Sequence, residues 1–95
     1  MLWLNYPNNP TGAVARLDFF EQAVEFCRAH DILLLSDNPY FEITFDGEQA
    51  VSALQPSLAD SCAIEMMSFS KTYNMGGWRL GAAVGNEEIL RILLQ

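Results

Sequence analysis

The sequence has 95 residues, which allows one small domain and excludes a second. Hydrophobic residues make up 51% of the chain, so the composition is that of a protein with a packed core and not that of a disordered segment. The net charge is −7 and the chain has only five basic residues, which argues against nucleic acid or an anionic membrane as a partner.

The two cysteines, Cys27 and Cys62, stand in apolar surroundings and lack the spacing of a CxxC motif. This pattern disfavours both a disulfide framework and a zinc site, and it is typical of buried free thiols in a reducing compartment. The apolar residues 1–4 are too few for a signal peptide, and no stretch approaches the roughly twenty apolar residues of a spanning helix. We therefore expect a cytoplasmic protein without a metal site.

The first predicted elements are a strand and a helix. The apolar residues 1–4 are followed by residues 5–12, which contain three asparagines, two prolines and a glycine. This composition predicts a short strand that runs into a rigid turn. From Leu17 onwards, apolar residues recur at intervals of three and four with charged residues between them. The periodicity predicts an amphipathic helix to about His30.

Two further apolar runs predict buried strands. Residues 32–36 show no alternation with polar residues, which indicates a strand covered on both faces, as in a parallel sheet. Residues 62–69 form a similar run, interrupted by Glu65. Between them, residues 40–45 could extend or turn, and residues 55–61 are expected to be irregular or to form a single helical turn.

The last predicted elements are a short strand at residues 81–84 and a helix. Asn86 is a good N-cap residue, and Glu87 and Glu88 suit the first helical turn, before an apolar stripe. The chain begins inside a strand pattern and ends inside a helical pattern, so both ends look cut. Strands alternating with helices in this order predict an α/β sheet.

Unusual polar residues follow three successive predicted strands. They are Asn9, then Asp37 with Tyr40, then Ser68 with Lys71. Ligands of such sheets bind beyond the carboxyl ends of the strands, so these groups could converge on one ligand. A lysine suits Schiff-base chemistry with an aldehyde, a carboxylate can hold a ring nitrogen protonated, and an arginine can bind a phosphate. Taken singly, each is also a common turn or surface residue.

Three segments carry a resemblance to a known family. They are residues 6–12 (Tyr-Pro-Asn-Asn-Pro-Thr-Gly), 37–40 (Asp-Asn-Pro-Tyr) and 68–81 (Ser-Phe-Ser-Lys-Thr-Tyr-Asn-Met-Gly-Gly-Trp-Arg-Leu-Gly). In order and spacing they resemble fold-type I pyridoxal 5′-phosphate (PLP) enzymes of the class I/II aminotransferase family. The resemblance covers nearly the whole chain. It implies that residues 1–95 are part of the mainly parallel sheet of the large, PLP-binding domain of the aspartate-aminotransferase fold, without the preceding part and the C-terminal small domain.

The resemblance also implies roles for individual residues. Lys71 would hold PLP as a Schiff base and move the proton between the substrate and the cofactor. Asp37 would pair with the pyridine nitrogen, and Tyr40 and Asn9 would donate to the phenolic oxygen.

The remaining expectations concern the phosphate, the reaction and the partners. By resemblance, Ser68 and Arg79 would bind the phosphate, with Ser70 a weaker candidate. The reaction would transfer an amino group between an amino acid and a 2-oxo acid, and the motifs look closest to LL-diaminopimelate, alanine and aspartate aminotransferases. A homodimer is expected. Alternatives are other PLP chemistry such as a carbon–sulfur β-lyase or aminocyclopropane-carboxylate synthesis, a transcription-regulator domain, and an inactive truncated fragment.

Overall fold

The computed structural model describes all 95 residues and contains one four-stranded sheet. Its strands are β1 (Leu2–Leu4), β2 (Leu34–Asp37), β3 (Ala63–Ser68) and β4 (Gly81–Gly85). They lie side by side in chain order; β1, β2 and β3 are parallel, and β4 is antiparallel to β3. The predicted mainly parallel α/β sheet is confirmed.

Three helices accompany the sheet: α1 (Leu17–Ala29), α2 (Phe69–Thr72) and α3 (Glu87–Leu93). Helix α1 is amphipathic because its apolar residues recur on one face, and it buries Phe20, Ala23, Val24 and Cys27. These side chains form the core together with residues of β2 and β3. None of the helices is long and apolar enough to span a lipid bilayer.

Strand β2 lies at the centre of the sheet's parallel part and is buried over most of its length. Leu34, Leu35 and Ser36 are all buried, as expected for a strand covered on both faces. The strand begins two residues later than the apolar run suggests. Ile32 belongs to the turn that ends α1, since its N–H donates to the carbonyl of Cys27 at 2.8 Å after Asp31 adopts a positive φ of 54°.

Residues between β2 and β3 form turns and no strand. The N–H of Ile43 donates to the carbonyl of Tyr40 at 2.8 Å, so the ambiguous residues 40–45 turn and do not extend. A single 3₁₀ turn at Ala59–Ser61 matches the helical turn expected within residues 55–61. This connection places Ala53 and Ala59 in the core beside α1.

Helix α2 begins directly at the end of β3, and Phe69, the last residue of the predicted apolar run, is its first residue. Ser68 ends β3 and also caps the helix, because its hydroxyl accepts the N–H of Ser70 at 3.2 Å. The predicted cap at Asn86 is confirmed: its side chain accepts the N–H of Ile89 at 2.9 Å at the start of α3. A 3₁₀ turn at Gly76–Trp78 completes the connection from α2 to β4.

Candidate active site

The candidate site residues lie around one edge of the sheet. Because β1, β2 and β3 are parallel, the segments that follow them all leave at their common carboxyl edge. Strand β4 runs the opposite way and begins at this edge, with Gly81 paired with Ser68. The residues just before β4 therefore lie at the same edge as Asp37 and Ser68.

The loop after β1 is held against the end of β2 by Asn5. Its side-chain Nδ2 donates to the carbonyl oxygen of Asp37 at 2.8 Å. Its Oδ1 accepts the Nδ2 of Asn8 at 3.1 Å and the backbone N–H of Asn9 at 3.2 Å. One asparagine thus connects the backbone of Asp37 with the backbone of Asn9, a role that the sequence analysis did not assign to it.

Asn9 and Tyr40 are in direct contact, as two residues expected to share one ligand should be. The Nδ2 of Asn9 donates to the Tyr40 hydroxyl at 3.1 Å, although 31 positions separate them in the chain. Both line a cavity of about 270 Å³ between the loop after β1 and the turn after β2. Ile43 and Phe45 supply apolar side chains to the same cavity. The pair can present amide and hydroxyl groups to one oxygen of a ligand.

Lys71 lies in the last turn of α2 and its side chain is exposed. It is the only lysine of the chain. The two ion pairs of the structure join Arg16 with Asp18 and Arg91 with Glu87, so no carboxylate of the chain neutralises Lys71. Its amine is therefore available to a ligand.

The pairing of β3 with β4 places Arg79 near Ser68, because Ser68 pairs with Gly81 and Arg79 lies two residues before Gly81. The N–H of Phe69, which follows Ser68, donates to the carbonyl of Leu80 at 3.2 Å, and Leu80 follows Arg79. The guanidinium Nη1 of Arg79 donates to the carbonyl of Gly76 at 3.2 Å, and the side chain is otherwise exposed. A hydroxyl and a guanidinium group at one edge form a suitable donor set for a phosphate.

The structure brings the expected residues together to different degrees. Asn9 and Tyr40 touch, Asp37 is tied to the Asn9 loop through Asn5, and Ser68 bonds to the backbone of Ser70. Lys71 and Arg79 share their edge but make no side-chain hydrogen bond to the others. Two buried polar residues near the site received no function from the sequence: Asn38, and Glu65, which was noted only as an interruption of an apolar run.

The two cysteines lie outside the site and are free thiols. Burial raises the pKa of Cys27, and the neighbouring Cys62 raises it further. Burial also raises the pKa of Cys62, whose hydrogen bond with Ser61 opposes the shift. Both thiols are therefore poor nucleophiles at neutral pH.

The sequence of this chain is similar to those of known proteins. An LL-diaminopimelate aminotransferase of Dehalococcoides mccartyi is 54% identical over 93 residues, which are 98% of this chain and 24% of that protein. One from Gloeobacter violaceus is 57% identical over 86 residues, 90% of this chain and 22% of that protein. The chain therefore spans about a quarter of the length of these relatives.

Solved structures share the fold. A probable N-succinyldiaminopimelate aminotransferase from Thermus thermophilus superposes with a TM-score of 0.88 at 48% identity, covering 95% of this chain and 24% of that one. The expected aspartate-aminotransferase fold is confirmed. The family described as "Aminotransferase class I and II" matches residues 1–95 without a gap at either end. By sequence over its whole length, and by fold, this chain belongs to the class I and II aminotransferase family.

Proposed function

We propose that the protein containing this chain is a PLP-dependent aminotransferase and that residues 1–95 form part of its large, cofactor-binding domain. The observation that carries the proposal is the contact between Asn9 and Tyr40 at the edge that also bears Asp37 and Lys71. These groups come from three separate segments of the chain, and their chemistry matches the different parts of one cofactor.

The residues of this edge fit PLP by their chemistry. The Tyr40 hydroxyl and the Asn9 amide would bind the phenolic oxygen, and the Asp37 carboxylate would hold a proton on the ring nitrogen. Ser68 and Arg79 would bind the phosphate, with the Ser70 hydroxyl as a further donor. When bound, PLP supplies an electron-accepting ring that stabilises negative charge on the substrate's α-carbon.

Lys71 would bind the cofactor covalently and would then transfer a proton. Its free Nζ would be a base able to take the proton from the substrate's α-carbon and to donate it to the C4′ carbon of the cofactor. Asn5 ties the Asn9 loop to the backbone of Asp37, which would keep a fixed separation between the groups expected to bind the phenolic oxygen and the ring nitrogen. The amino group is thereby exchanged between an amino acid and a 2-oxo acid.

We propose LL-diaminopimelate as the amino donor. The names of the two bacterial relatives, which are more than half identical to this chain, support that choice. The natural protein is further proposed to be a homodimer in the cytoplasm. Size-exclusion chromatography with light scattering tests the dimer, since a monomer with full activity would contradict it.

The experiment that tests the function uses the full natural protein loaded with PLP. Reduction with borohydride followed by peptide mapping should place the cofactor's mass on the peptide that contains Lys71, the only lysine within residues 1–95. Lys71→Ala should abolish transfer from LL-diaminopimelate, a loss of at least about 10⁴-fold, because no other group replaces a covalent base.

The matched control is Arg91→Ala, which removes an exposed cation that pairs with Glu87 far along the chain from the site. It should retain activity. A cofactor adduct on a different lysine, or a Lys71→Ala variant as active as Arg91→Ala, would contradict the proposed function. Transfer from another amino acid but not from LL-diaminopimelate would contradict only the proposed donor.

A further inference from the structure

Glu65 bonds to the chain on both sides of the loop that follows β2. This β2 loop comprises residues 38–51, and none of them belongs to a helix or strand. Before the loop, the Ser36 hydroxyl donates to Oε2 of Glu65 at 3.1 Å. After the loop, the Ser52 hydroxyl donates to Oε1 at 3.0 Å and the N–H of Ala53 donates to Oε2 at 3.0 Å. One carboxylate therefore connects the two ends of the loop.

The two ends of the β2 loop differ in how the sheet holds them. The first end continues from β2, whose backbone pairs with β1 and β3, and Ser36 lies opposite Glu65 in that pairing. The second end, residues 52–53, belongs to no strand. Its backbone makes no hydrogen bond with the sheet apart from the N–H of Ala53, which donates to the Glu65 side chain. The hydrogen bonds that attach the returning chain to the sheet therefore all end on Glu65.

The β2 loop carries side chains of the candidate site. The Tyr40 hydroxyl accepts from Asn9, and Ile43 and Phe45 line the cavity beside this contact. Asn9 belongs to a different segment, the loop after β1. The contact therefore requires that the β2 loop keeps its place relative to the sheet, and movement of its ends would separate Tyr40 from Asn9.

Glu65 has a high desolvation cost at its position in β3. The residue is 5% exposed, and neither of the two ion pairs of the structure includes it. An apolar residue would avoid that cost, whereas a buried carboxylate is tolerated only when hydrogen-bond donors replace the lost water. All its donors lie at the two ends of the β2 loop. A fully satisfied buried network of this kind makes the groups that it joins more rigid.

We infer that Glu65 is a positioning residue that fixes both ends of the β2 loop and thereby keeps Tyr40 beside Asn9. The effect on the cofactor rests on the proposed function, whereas the restraint on the loop does not. The restraint comes from hydrogen bonds at fixed places and not from the negative charge, which makes it separable by substitution.

Hydrogen exchange of the full natural protein measures the restraint. Glu65→Leu removes all three hydrogen bonds, so amides within residues 38–51 should exchange about tenfold faster or more through local opening. Glu65→Gln should stay near the unaltered rates, because its amide oxygen can accept from Ser36 and Ala53 while its amide nitrogen donates to the Ser52 hydroxyl. The control is Glu25→Leu, which removes an exposed carboxylate of α1 and should leave the loop unchanged.

A milder pair of variants covers the case in which Glu65→Leu does not fold. Ser52→Ala removes a single bond to the carboxylate, and the loop amides should exchange roughly two- to tenfold faster. Ser57→Ala is its control, since Ser57 is exposed and lies outside the loop. Equal loop exchange in Ser52→Ala and Ser57→Ala would overturn the inference. So would equally fast exchange in Glu65→Gln and Glu65→Leu, which would assign the effect to the charge.

Release of PLP from the loaded natural protein measures the consequence for the site. Glu65→Leu should release PLP about tenfold faster, and Glu65→Gln should restore nearly the unaltered rate. Faster loop exchange with unchanged release in Glu65→Leu would refute the positioning of the site. A natural protein that binds no PLP would refute the proposed function, and hydrogen exchange would still decide whether Glu65 restrains the loop.

Discussion

Glu65 is a carboxylate in the middle of an apolar strand, only 5% exposed, and no cation accompanies it. Its Oε2 accepts the Ser36 hydroxyl at 3.1 Å and the N–H of Ala53 at 3.0 Å, and its Oε1 accepts the Ser52 hydroxyl at 3.0 Å. A buried charge is tolerated when donors surround it in this way. Glu65 thus fastens the connection after β2 to the sheet, beside the residue that precedes Asp37.

Replacing Glu65 by leucine should destabilise the natural protein by about 3 kcal/mol, because three donors, two of them in buried hydrogen bonds, lose their acceptor. Glu48→Leu is the matched control, since Glu48 is exposed, and it should change stability by less than about 0.5 kcal/mol. Urea denaturation of both variants measures the difference. Equal shifts of the two midpoints would show that the three hydrogen bonds contribute nothing to the fold.

Tyr40→Phe removes the hydroxyl that accepts from Asn9 at 3.1 Å and leaves the ring in place. Under the proposed function, kcat/KM should fall roughly 10- to 100-fold, the equivalent of one hydrogen bond to a charged group. Steady-state kinetics with LL-diaminopimelate checks this. Tyr6→Phe is the control, because Tyr6 packs its ring against Phe19 away from the Asn9 contact, and it should stay within about twofold of the unaltered protein.

The pairing of β3 with β4 depends on glycines at both ends of β4. A Cβ atom at Gly81 would lie 2.7 Å from the carbonyl oxygen of Met67, and one at Gly85 would lie 2.4 Å from that of Ala63. Gly85 also has a φ of 136°, which L-residues rarely adopt. Backbone approaches this close leave no space for a side chain, so the strand cannot keep its register with any other residue at either position.

Gly85→Ala should therefore lower the free energy of unfolding by more than about 2 kcal/mol. Gly77→Ala supplies the control, since nothing lies within 4 Å of the added carbon and its φ is not positive. Thermal melts of the natural protein carrying each substitution measure the difference in stability between the two variants. Similar melting temperatures for both variants would mean that β4 can move away from β3 without cost.

Elements with a strong periodicity or a characteristic capping residue could be predicted from the sequence, whereas α2 and the turn at residues 40–45 could not. The stripe of α1 and the cap at Asn86 are properties of neighbouring residues, so they were found. Helix α2 has four residues and begins where Ser68 ends a strand, which leaves no room for a helical period. The turn at residues 40–45 depends on one bond to the carbonyl of Tyr40, which the sequence does not reveal.

The sequence suggested candidate site residues where the expected chemistry requires a particular type of side chain. The resemblance implies that Asn9 and Tyr40 bind one ligand atom, and the structure shows their side chains in contact with each other. Asn5 was missed, since its function is to bond two backbones that are distant in sequence. Asn38 was also missed, because its burial depends on how α2 packs against the turn after β2. The functions of all the candidate site residues remain predictions: Asn9, Asp37, Tyr40, Ser68, Ser70, Lys71 and Arg79.

At the scale of the whole molecule, much apolar surface is exposed. Only 16 of the 95 residues are buried, and large apolar side chains are open to solvent on the strands, the loops and α3. Examples are Trp3 at 54% exposure, Trp78 at 76% and Leu94 at 88%. Such surface is normally covered by other parts of a protein or by a partner.

Residues 1–95 produced alone should therefore bind a hydrophobic dye, associate in solution and lack transferase activity. Sedimentation and thermal melting measure this, with the full natural protein as the reference. A monomer that stays soluble and melts in one cooperative transition would contradict the expectation, because it would show that the exposed apolar surface needs no cover.

The reversed direction of β4 also has a consequence for the order in which the chain folds. Ser68 and Gly81 pair across 13 positions of sequence, whereas Leu4 and Ser36 pair across 32. Closing a shorter loop costs less entropy, so local pairings form early and distant ones follow. We expect the β3–β4 hairpin to serve as a folding nucleus. Lys71 and Arg79 would then be fixed relative to each other before β2, which carries Asp37, pairs with β3.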